Sequence, residues 1–138
     1  MQDPHNLRVT DVAEALAADV YRFAATLPAD ERFDLQRQMR RAASSIPLNI
    51  YEGCGRQGNR ALLPFLHIAL GSSSELQAQL RLAARLQIGD PSQAGPLLGR
   101  TIHLKRMLAR LIKAIRARLE SETSQLKQPK PPATHSRS

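Results

Sequence analysis

The stretch from residue 35 to residue 60 constrains the fold of this chain more than any other part of the sequence. Its apolar residues recur at helical spacing and form one stripe, which consists of Leu35, Met39, Ala42, Ala43, Ile46 and Ile50. Pro47 lies inside this stripe, and Gly53 and Gly55 follow at its end. Because a proline has no backbone N–H, the carbonyl of Ala43 loses its helical partner. The pattern therefore predicts a buried helix that is kinked at Pro47 and ends in a glycine-rich turn.

Similar periodicity predicts three more helices, so that the fold class is all-α. The four predicted helices cover residues 6–27, 33–53, 59–87 and 90–122. The connections between them are short, and short connections place consecutive helices side by side in opposite directions. We therefore expect an antiparallel up-down-up-down four-helix bundle with a kinked second helix. The third helix also carries a second apolar strip beside its main seam, formed by Phe65, Ile68, Leu82 and Leu86.

Several helix ends have recognisable signals in the sequence. Asp90 precedes a proline, a pattern typical of an N-cap followed by the first helical position. Asn59 is the expected N-cap of the third helix. Gly53 is expected to adopt the left-handed conformation that commonly ends a helix. Asn49 follows the helical proline closely and is interpreted as a side chain that bridges the backbone opened by it.

The chain of 138 residues is long enough for one domain, which we place at residues 1–122. Residues 123–138 are rich in proline and lack periodicity, and they are interpreted as a disordered basic tail. The apolar runs are too short to span a membrane, and the acidic residues near the start are atypical of a secretory signal. The single cysteine, Cys54, excludes an internal disulfide and favours a cytoplasmic location.

The net charge of +8 is unevenly distributed along the chain. Residues 1–34 contain seven acidic and three basic residues and carry −4, whereas residues 35–138 carry +12. A basic field of this kind attracts polyanions, either nucleic acid or an acidic protein surface. The two segments are also complementary to each other, as a head-to-tail interface between copies of the chain would require. A solvated basic surface without a polyanionic partner is the third alternative.

Basic residues on the second, third and fourth helices are the main candidates for binding. The side chains that would contact phosphates are Arg37, Arg40, Arg41, Arg56, Arg60, Lys105, Arg106, Arg110, Lys113 and Arg116. Because the chain has few aromatic residues that could stack on bases, the binding is expected to be weak and unselective. Arg56 and Arg60 also flank the start of the third helix, where free N–H groups favour an anion. Glu52 is interpreted as an ion-pair partner of Arg40, Arg41 or Arg56 rather than as a general acid.

The sequence contains no recognisable catalytic or metal-binding constellation. Gly53, Gly55 and Gly58 match the spacing of a dinucleotide-binding loop, but such a loop follows a strand, and a helix is predicted here. The four histidines are scattered, and none has a partner at helical spacing that would suggest a metal site. We therefore expect no enzyme activity, no metal and no cofactor.

The most distinctive of these motifs resembles a known family. Residues 38–56, with the sequence QMRRAASSIPLNIYEGCGR, are similar to its pattern of Gln-hydrophobic-Arg-Arg-Ala-Ala, Ser-Ile-Pro-x-Asn-Ile and Glu-Gly-x-Gly-Arg. The sequence FLHIALGSSSEL at residues 65–76 is a supporting match. From about Leu7 to Leu119 the chain resembles the four-helix-bundle proteins encoded in intervening sequences of bacterial large-subunit ribosomal RNA genes. That family is related to the accessory variability determinant of diversity-generating retroelements.

The resemblance implies a cytosolic bundle that assembles as a homopentameric ring. In the retroelement relatives the ring is a basic barrel that binds a reverse transcriptase and nucleic acid, and nucleic-acid binding extends to this chain by analogy. The leading prediction is a non-enzymatic homo-oligomeric scaffold, a pentameric ring, whose basic surface binds RNA or DNA weakly and without specificity. The alternative is an adaptor that docks an acidic partner protein and binds no nucleic acid.

Overall fold

The structure, a computed structural model, describes residues 8–127, with the side chains of residues 31–33 left undescribed. Its four helices are α1 (Arg8–Ala24), α2 (Arg37–Cys54), α3 (Gly58–Leu86) and α4 (Pro91–Lys127). There is no β-strand within the described range. Helices α1 and α3 each pack against α2 and α4, so that α2 and α4 lie diagonally across the bundle. The all-α four-helix bundle predicted from the apolar periodicity is confirmed.

Contacts between α1 and α2 show that the two helices run in opposite directions. The guanidinium of Arg40 lies over the ring of Tyr21 in α1, 5.5 Å from its centroid. The side chain of Gln36, one turn earlier in the chain, reaches Ala24 at the end of α1, where its Nε2 donates to the carbonyl at 2.8 Å. Moving towards the start of α2 therefore means moving towards the end of α1, as the short connection requires.

The core is almost entirely aliphatic and receives side chains from every helix. Its largest fully buried members are Leu16, Val20, Phe23, Met39, Ile46, Ile50, Leu62, Leu66, Leu76, Leu80, Leu104 and Leu108. Burying a side chain of this size contributes about 1.5–3 kcal/mol relative to leaving it exposed. The helices are therefore held mainly by this shared apolar seam, which leaves their outer faces available for charge.

Helix α2 continues without interruption through Pro47, which is buried. Asn49 Nδ2 donates to the carbonyl of Ser45 at 2.8 Å and to its hydroxyl at 3.0 Å. The Ser45 hydroxyl lies 2.8 Å from the hydroxyl of Ser72 in α3. The Asn49 side chain thus bonds the backbone beside the proline and is linked to α3, although the carbonyl that it reaches is not the one of Ala43. The kink at Pro47 stays a prediction.

Gly53 does not end α2, so the left-handed conformation predicted there is wrong. The residue is buried inside the helix. A Cβ at this position would lie 2.7 Å from Cδ1 of Leu62 and 2.8 Å from Cβ of Phe65. Glycine is required because α3 approaches closely, and not because the backbone turns. The left-handed φ of +83° occurs at Gly58, where α3 begins, while Gly55 has a right-handed φ of −73°.

The two predicted N-caps have different outcomes. Helix α3 begins at Gly58, before Asn59, and the residue that precedes the helix makes no side-chain capping bond. Asp90 does cap α4, since its Oδ1 accepts from the Ser92 hydroxyl at 2.7 Å and from the Ser92 backbone N–H at 3.0 Å. These two bonds hold the pKa of Asp90 below its usual value. Helix α4 starts directly after Asp90, as predicted.

The connection between α1 and α2 contains a 3₁₀ turn, Ala29–Glu31, and a π-helical turn, Arg32–Gln36. The predicted start of the second helix at residue 33 therefore falls within the π turn. Helix α4 continues to Lys127, past the boundary predicted at 122. The rest of the predicted tail, 128–138, lies outside the described residues. None of the described helices is both long enough and apolar enough to cross a membrane.

Candidate nucleic-acid interface

The outer face of α4 carries a row of exposed cations. Arg106, Arg110 and Lys113 follow one another at a spacing of four and three residues, which places them on one side of the helix. All three side chains are exposed, and the opposite side of α4 contributes Leu104, Leu108 and other residues to the core. The row therefore faces solvent for about two helical turns.

Two further cations of α4 lie beside α3 and are positioned by it. Lys105 Nζ donates to Oε1 of Gln77 at 3.2 Å. Arg116 Nη2 donates to Nε2 of His67 at 2.9 Å, because a guanidinium cannot accept a hydrogen bond. These bonds join the two helices in antiparallel register and hold both positive charges along the α3–α4 seam.

Two arginines of α3, which the sequence analysis did not single out, extend this seam. Arg81 follows Gln77 by four residues, and Arg85 follows Arg81 by four, so all three lie on one side of α3. Both arginines are exposed and line a groove of about 670 Å³ between α3 and α4. The remaining lining is apolar and consists of Ala78, Leu82, Ala84 and Leu98. The sequence did contain a signal that could have identified them, since Arg81 and Arg85 form a basic i, i+4 pair on the helix next to the basic fourth helix.

These residues form one surface, which we call the α3–α4 basic face. It consists of Arg81, Arg85, Lys105, Arg106, Arg110, Lys113 and Arg116. Between Leu76 and Leu119 the sequence contains a single carboxylate, Asp90, and this carboxylate caps α4. No ion pair joins any cation of the face to a described acidic residue. Two exposed carboxylates flank this range, Glu75 and Glu120, the latter one turn after Arg116, and they offset only part of the positive charge of the face.

The arginines predicted on α2 do not belong to this face. Helix α2 lies diagonally opposite α4, so its outer side points away from the α4 row. Arg37 is exposed there, and Arg41 lines a cleft between α2 and α3 whose other charged residue is Glu75. Arg40 is directed towards α1 by its contact with Tyr21. The sequence prediction grouped residues that the fold separates.

Arg56 is engaged within the turn between α2 and α3. Its Nη2 donates to Oε1 of Glu52 at 2.6 Å, which identifies the partner of Glu52 among the three arginines considered. The guanidinium also lies 5.5 Å from the centroid of the Phe65 ring. Because both side chains of the ion pair are about half exposed, the pair stabilises the turn only slightly. Arg60 is exposed in the first turn of α3 and makes no ion pair with a described residue.

The acidic helix α1 meets α4 within the same chain. Asp19 accepts from Arg100 of α4 and from Arg22 of its own helix, each at 2.7 Å. The hydrogen bond from Arg100, aided by the charges of both arginines, holds the pKa of Asp19 below its usual value despite partial desolvation. The acidic and basic segments of the sequence therefore contact each other in part within one chain, through α1 and α4. This contact lies away from the α3–α4 basic face.

An apolar strip on α3 is left uncovered by the described chain. Its members are Ile68, Leu82 and Leu86, which are 49%, 49% and 52% exposed. This is the second apolar strip noted in the sequence, except that Phe65 is half-buried beneath Arg56. The strip is interrupted, because Ile68 lies about four turns before Leu82 and the exposed Glu75 lies between them.

The described part of the chain offers no cluster of side chains for a metal ion. The described residues contain no group of three or more histidines, cysteines or carboxylates that could hold a metal ion. Cys54 is buried. Asp19 and Asp90 show lowered pKa values, and in each case the cause is a bond that serves packing or capping.

The fold and the surface charge together define a helical bundle with one strongly basic side. Residues 5–110 match the model of the family described as 23S rRNA-intervening sequence protein. The chain therefore belongs to the 23S rRNA-intervening sequence protein family, and the resemblance to that family is confirmed. The relation to retroelement accessory proteins stays a prediction. No curated protein matches the chain.

A solved structure supports the fold. It is the crystal structure of a protein with unknown function from the S23 ribosomal protein family of Bacteroides thetaiotaomicron. The two chains are similar with a TM-score of 0.68 and 24% sequence identity, over 76% of this chain and 98% of the other. At this identity the similarity extends to the fold alone.

Proposed function

We propose that this protein is a non-enzymatic, homo-oligomeric scaffold that binds RNA or DNA through the α3–α4 basic face. The observation that carries the proposal is the excess of positive charge on that face. Its seven cations lie side by side on two packed helices, and no described carboxylate forms an ion pair with them, while the exposed Glu75 and Glu120 lie at the borders of the face. Such a surface attracts polyanions over several ångströms and faster than a neutral one.

The proposed binding is weak and insensitive to sequence. Lysine and arginine side chains on a helical surface contact phosphates, and phosphates are the same for every sequence. Selective recognition of single strands generally uses aromatic side chains that stack on bases, and the sequence from Leu76 to Leu119, which supplies the face, contains no Phe, Tyr or Trp. Affinity should therefore fall steeply with salt and depend little on the bases.

Self-association is the second part of the proposal, in the form of a pentameric ring in the cytoplasm. The exposed strip of Ile68, Leu82 and Leu86 supports it, because a second copy would remove this apolar surface from water. The acidic outer face of α1, with Asp11 and Glu14, offers the charge complement that a head-to-tail contact requires. The number of subunits rests on the analogy with retroelement accessory proteins.

One observation favours a second candidate function, an adaptor for an acidic partner protein. The groove between Arg81 and Arg85 has an apolar floor that includes Leu82 and Leu98. Basic rims with an apolar centre are also typical of surfaces that bind acidic amphipathic helices. The two functions differ in their response to nuclease, since an adaptor complex would survive removal of nucleic acid.

The proposed function is tested with nuclease-treated protein and a fluorescently labelled single-stranded RNA. Binding is followed by fluorescence anisotropy across a salt series for wild type, for Arg106→Gln/Arg110→Gln and for Arg37→Gln/Arg41→Gln. The two double variants remove the same charge from exposed i, i+4 positions, the first on the α3–α4 basic face and the second on α2. We expect the first variant to reduce the slope of log affinity against log salt by about 1.4, because each phosphate contact to a single strand contributes about 0.7.

The α2 variant should bind nearly as well as wild type in the same series. Equal losses in both variants would mean that total charge, and not the α3–α4 basic face, determines binding. A protein that binds no RNA at low salt, and that instead recovers a protein from nuclease-treated lysate, would overturn nucleic-acid binding in favour of the adaptor.

A further inference from the structure

The groove between α3 and α4 differs from the rest of the basic face. Its floor is formed by Ala78, Leu82, Ala84 and Leu98, and its rim carries Arg81 and Arg85. The groove is shallow and open to solvent, since Leu82 in its lining is 49% exposed. The groove can therefore accept a compact apolar group whose neighbours are negatively charged.

The cations continue from this groove along the seam in one direction only. Lys105 is fixed beside Gln77 one turn from Arg81, and Arg116 is fixed beside His67 further along the same two helices. No large apolar side chain of α4 is exposed along this stretch, since the exposed Leu126 lies beyond it. One apolar groove thus opens onto a linear path of positive charge.

This arrangement fits a single strand better than a duplex or an acidic helix. In a duplex the bases are stacked inside, and only phosphates, sugars and base edges reach the surface, so an apolar floor would be left uncovered. An amphipathic helix would need apolar contacts at every turn, and beyond the groove the cations are accompanied by one exposed large apolar side chain, Ile68. A single strand can turn one base towards an apolar floor while its phosphates follow the cations.

We infer that the α3–α4 groove binds single-stranded nucleic acid, with one base on the floor formed by Leu82 and Leu98 and the adjacent phosphates on Arg81 and Arg85. The inference rests on the proposed function and names its ligand more narrowly. Base contact on aliphatic side chains is weaker than stacking on an aromatic ring, so discrimination between bases should remain small. The preference for a single strand over a duplex should be the measurable property.

The test compares a labelled single-stranded oligonucleotide, its blunt-ended duplex and an abasic strand of equal length by fluorescence anisotropy. The variants are Leu82→Ser and Leu86→Ser, which both remove a half-exposed leucine from the same strip of α3. Leu82 lines the groove and Leu86 does not. Any effect that arises through self-association would appear in both variants, so the difference between them reports on the groove.

We expect Leu82→Ser to weaken binding of the single strand about threefold to tenfold beyond Leu86→Ser, below the loss seen for an aromatic stacking partner. The slope of log affinity against log salt should stay unchanged, because no charge is removed. Binding of the duplex and of the abasic strand should not distinguish the two variants. Arg81→Gln/Arg85→Gln should lower both the affinity for the single strand and the slope, the latter by about 1.4.

Two outcomes would overturn the inference in different ways. Equal affinity for single strand and duplex, with no difference between Leu82→Ser and Leu86→Ser, would remove the base site while leaving the electrostatic binding of the proposed function. Absence of binding to all three oligonucleotides at low salt would overturn the proposed function itself. In that case, capture of a labelled acidic amphipathic peptide that Leu82→Ser abolishes would assign the groove to a protein partner.

Discussion

Gly53 is the position at which α2 and α3 approach most closely among the described glycines. A Cβ here would lie 2.7 Å from the end of the Leu62 side chain and 2.8 Å from Cβ of Phe65. The Leu62 side chain can rotate, but Cβ of Phe65 moves only with the backbone of α3. We predict that Gly53→Ala lowers the free energy of unfolding by about 1–3 kcal/mol, the usual cost of overpacking a well-filled interface. Urea denaturation followed by circular dichroism measures it.

Gly99→Ala is the matched control for this prediction. Gly99 lies in α4, is exposed, and a Cβ there would have nothing within 4 Å. Replacing a glycine by alanine inside an exposed helix raises stability by about 0.5–1 kcal/mol. Opposite signs for the two variants are expected. If Gly53→Ala were as stabilising as Gly99→Ala, the close approach would not constrain the interface.

Single residues also show where the sequence was insufficient. Glu52 was paired with any of three arginines, and the structure selects Arg56, the one that is four residues away, while Arg40 and Arg41 lie about three turns from Glu52 on the same helix. Arg81 and Arg85 were missed because a basic pair on a helix usually faces solvent, and its significance depends on the neighbouring helix. Spacing along one helix predicts which side a residue occupies and cannot predict what lies opposite.

The link between α1 and α4 depends on Asp19, whose carboxylate accepts from Arg100 and Arg22. Its pKa in the folded protein is below the usual value of 3.8, and the hydrogen bond from Arg100 is the largest cause. A carboxyl with a lowered folded pKa stabilises the fold above its unfolded pKa, and the contribution is lost as the pH falls through the folded pKa. The free energy of unfolding of wild type should fall as the pH drops below about 5. We predict that this fall is smaller in Asp19→Asn.

Thermal or urea unfolding measured at several pH values from neutral to acidic tests this prediction. Asp11→Asn is the control, because Asp11 is exposed on the same helix and makes no ion pair with a described residue. The curves of Asp19→Asn and wild type should converge at low pH and separate towards neutral pH. If the stability curves of wild type and Asp19→Asn stayed parallel over the whole pH range, ionisation of Asp19 would not contribute to the stability of the fold.

Helices could be predicted more completely than the connections between them. Apolar periodicity located all four helices, because the residues that recur at helical spacing are the ones that the core buries. The Asp90 cap was predictable because it is local, whereas Asn59 carries the same type of signal and does not cap. The π turn Arg32–Gln36 has no such signal, and it is accompanied by a bond from Gln36 to the end of α1. The cap bonds of Asp90 join residues two apart in the sequence, whereas the bond of Gln36 joins residues twelve apart, which spacing along one helix does not reveal.

The whole molecule presents two kinds of surface, one basic and one apolar, whose residues alternate along the sequence. The α3–α4 basic face gathers cations from two helices on one side of the bundle, and the arginines of α2 remain on another side. The apolar strip of Ile68, Leu82 and Leu86 runs along α3 and meets the basic face at the groove, where Leu82 belongs to both. Self-association and nucleic-acid binding would therefore use adjacent surfaces, so that one can influence the other.

The apolar strip provides the prediction that concerns assembly. If copies of the chain associate through α3, a charge at Ile68 would be desolvated in the interface, and burial of an unpaired carboxylate is strongly unfavourable. We predict that Ile68→Glu lowers the molar mass in solution towards that of one chain, 15.3 kDa. Leu48→Glu is the control, because Leu48 is 65% exposed on the outer side of α2 and lies outside the strip.

Light scattering of nuclease-treated protein at several concentrations measures both variants beside wild type, with circular dichroism to verify that each remains helical. Nuclease treatment matters because bound nucleic acid would raise the mass without any contact between chains. A wild-type mass above one chain that falls in Ile68→Glu and persists in Leu48→Glu supports assembly through α3. An oligomer that persists in Ile68→Glu would show that the interface does not include Ile68. The next test would then reverse the charges of Asp11 and Glu14 on the exposed acidic face of α1.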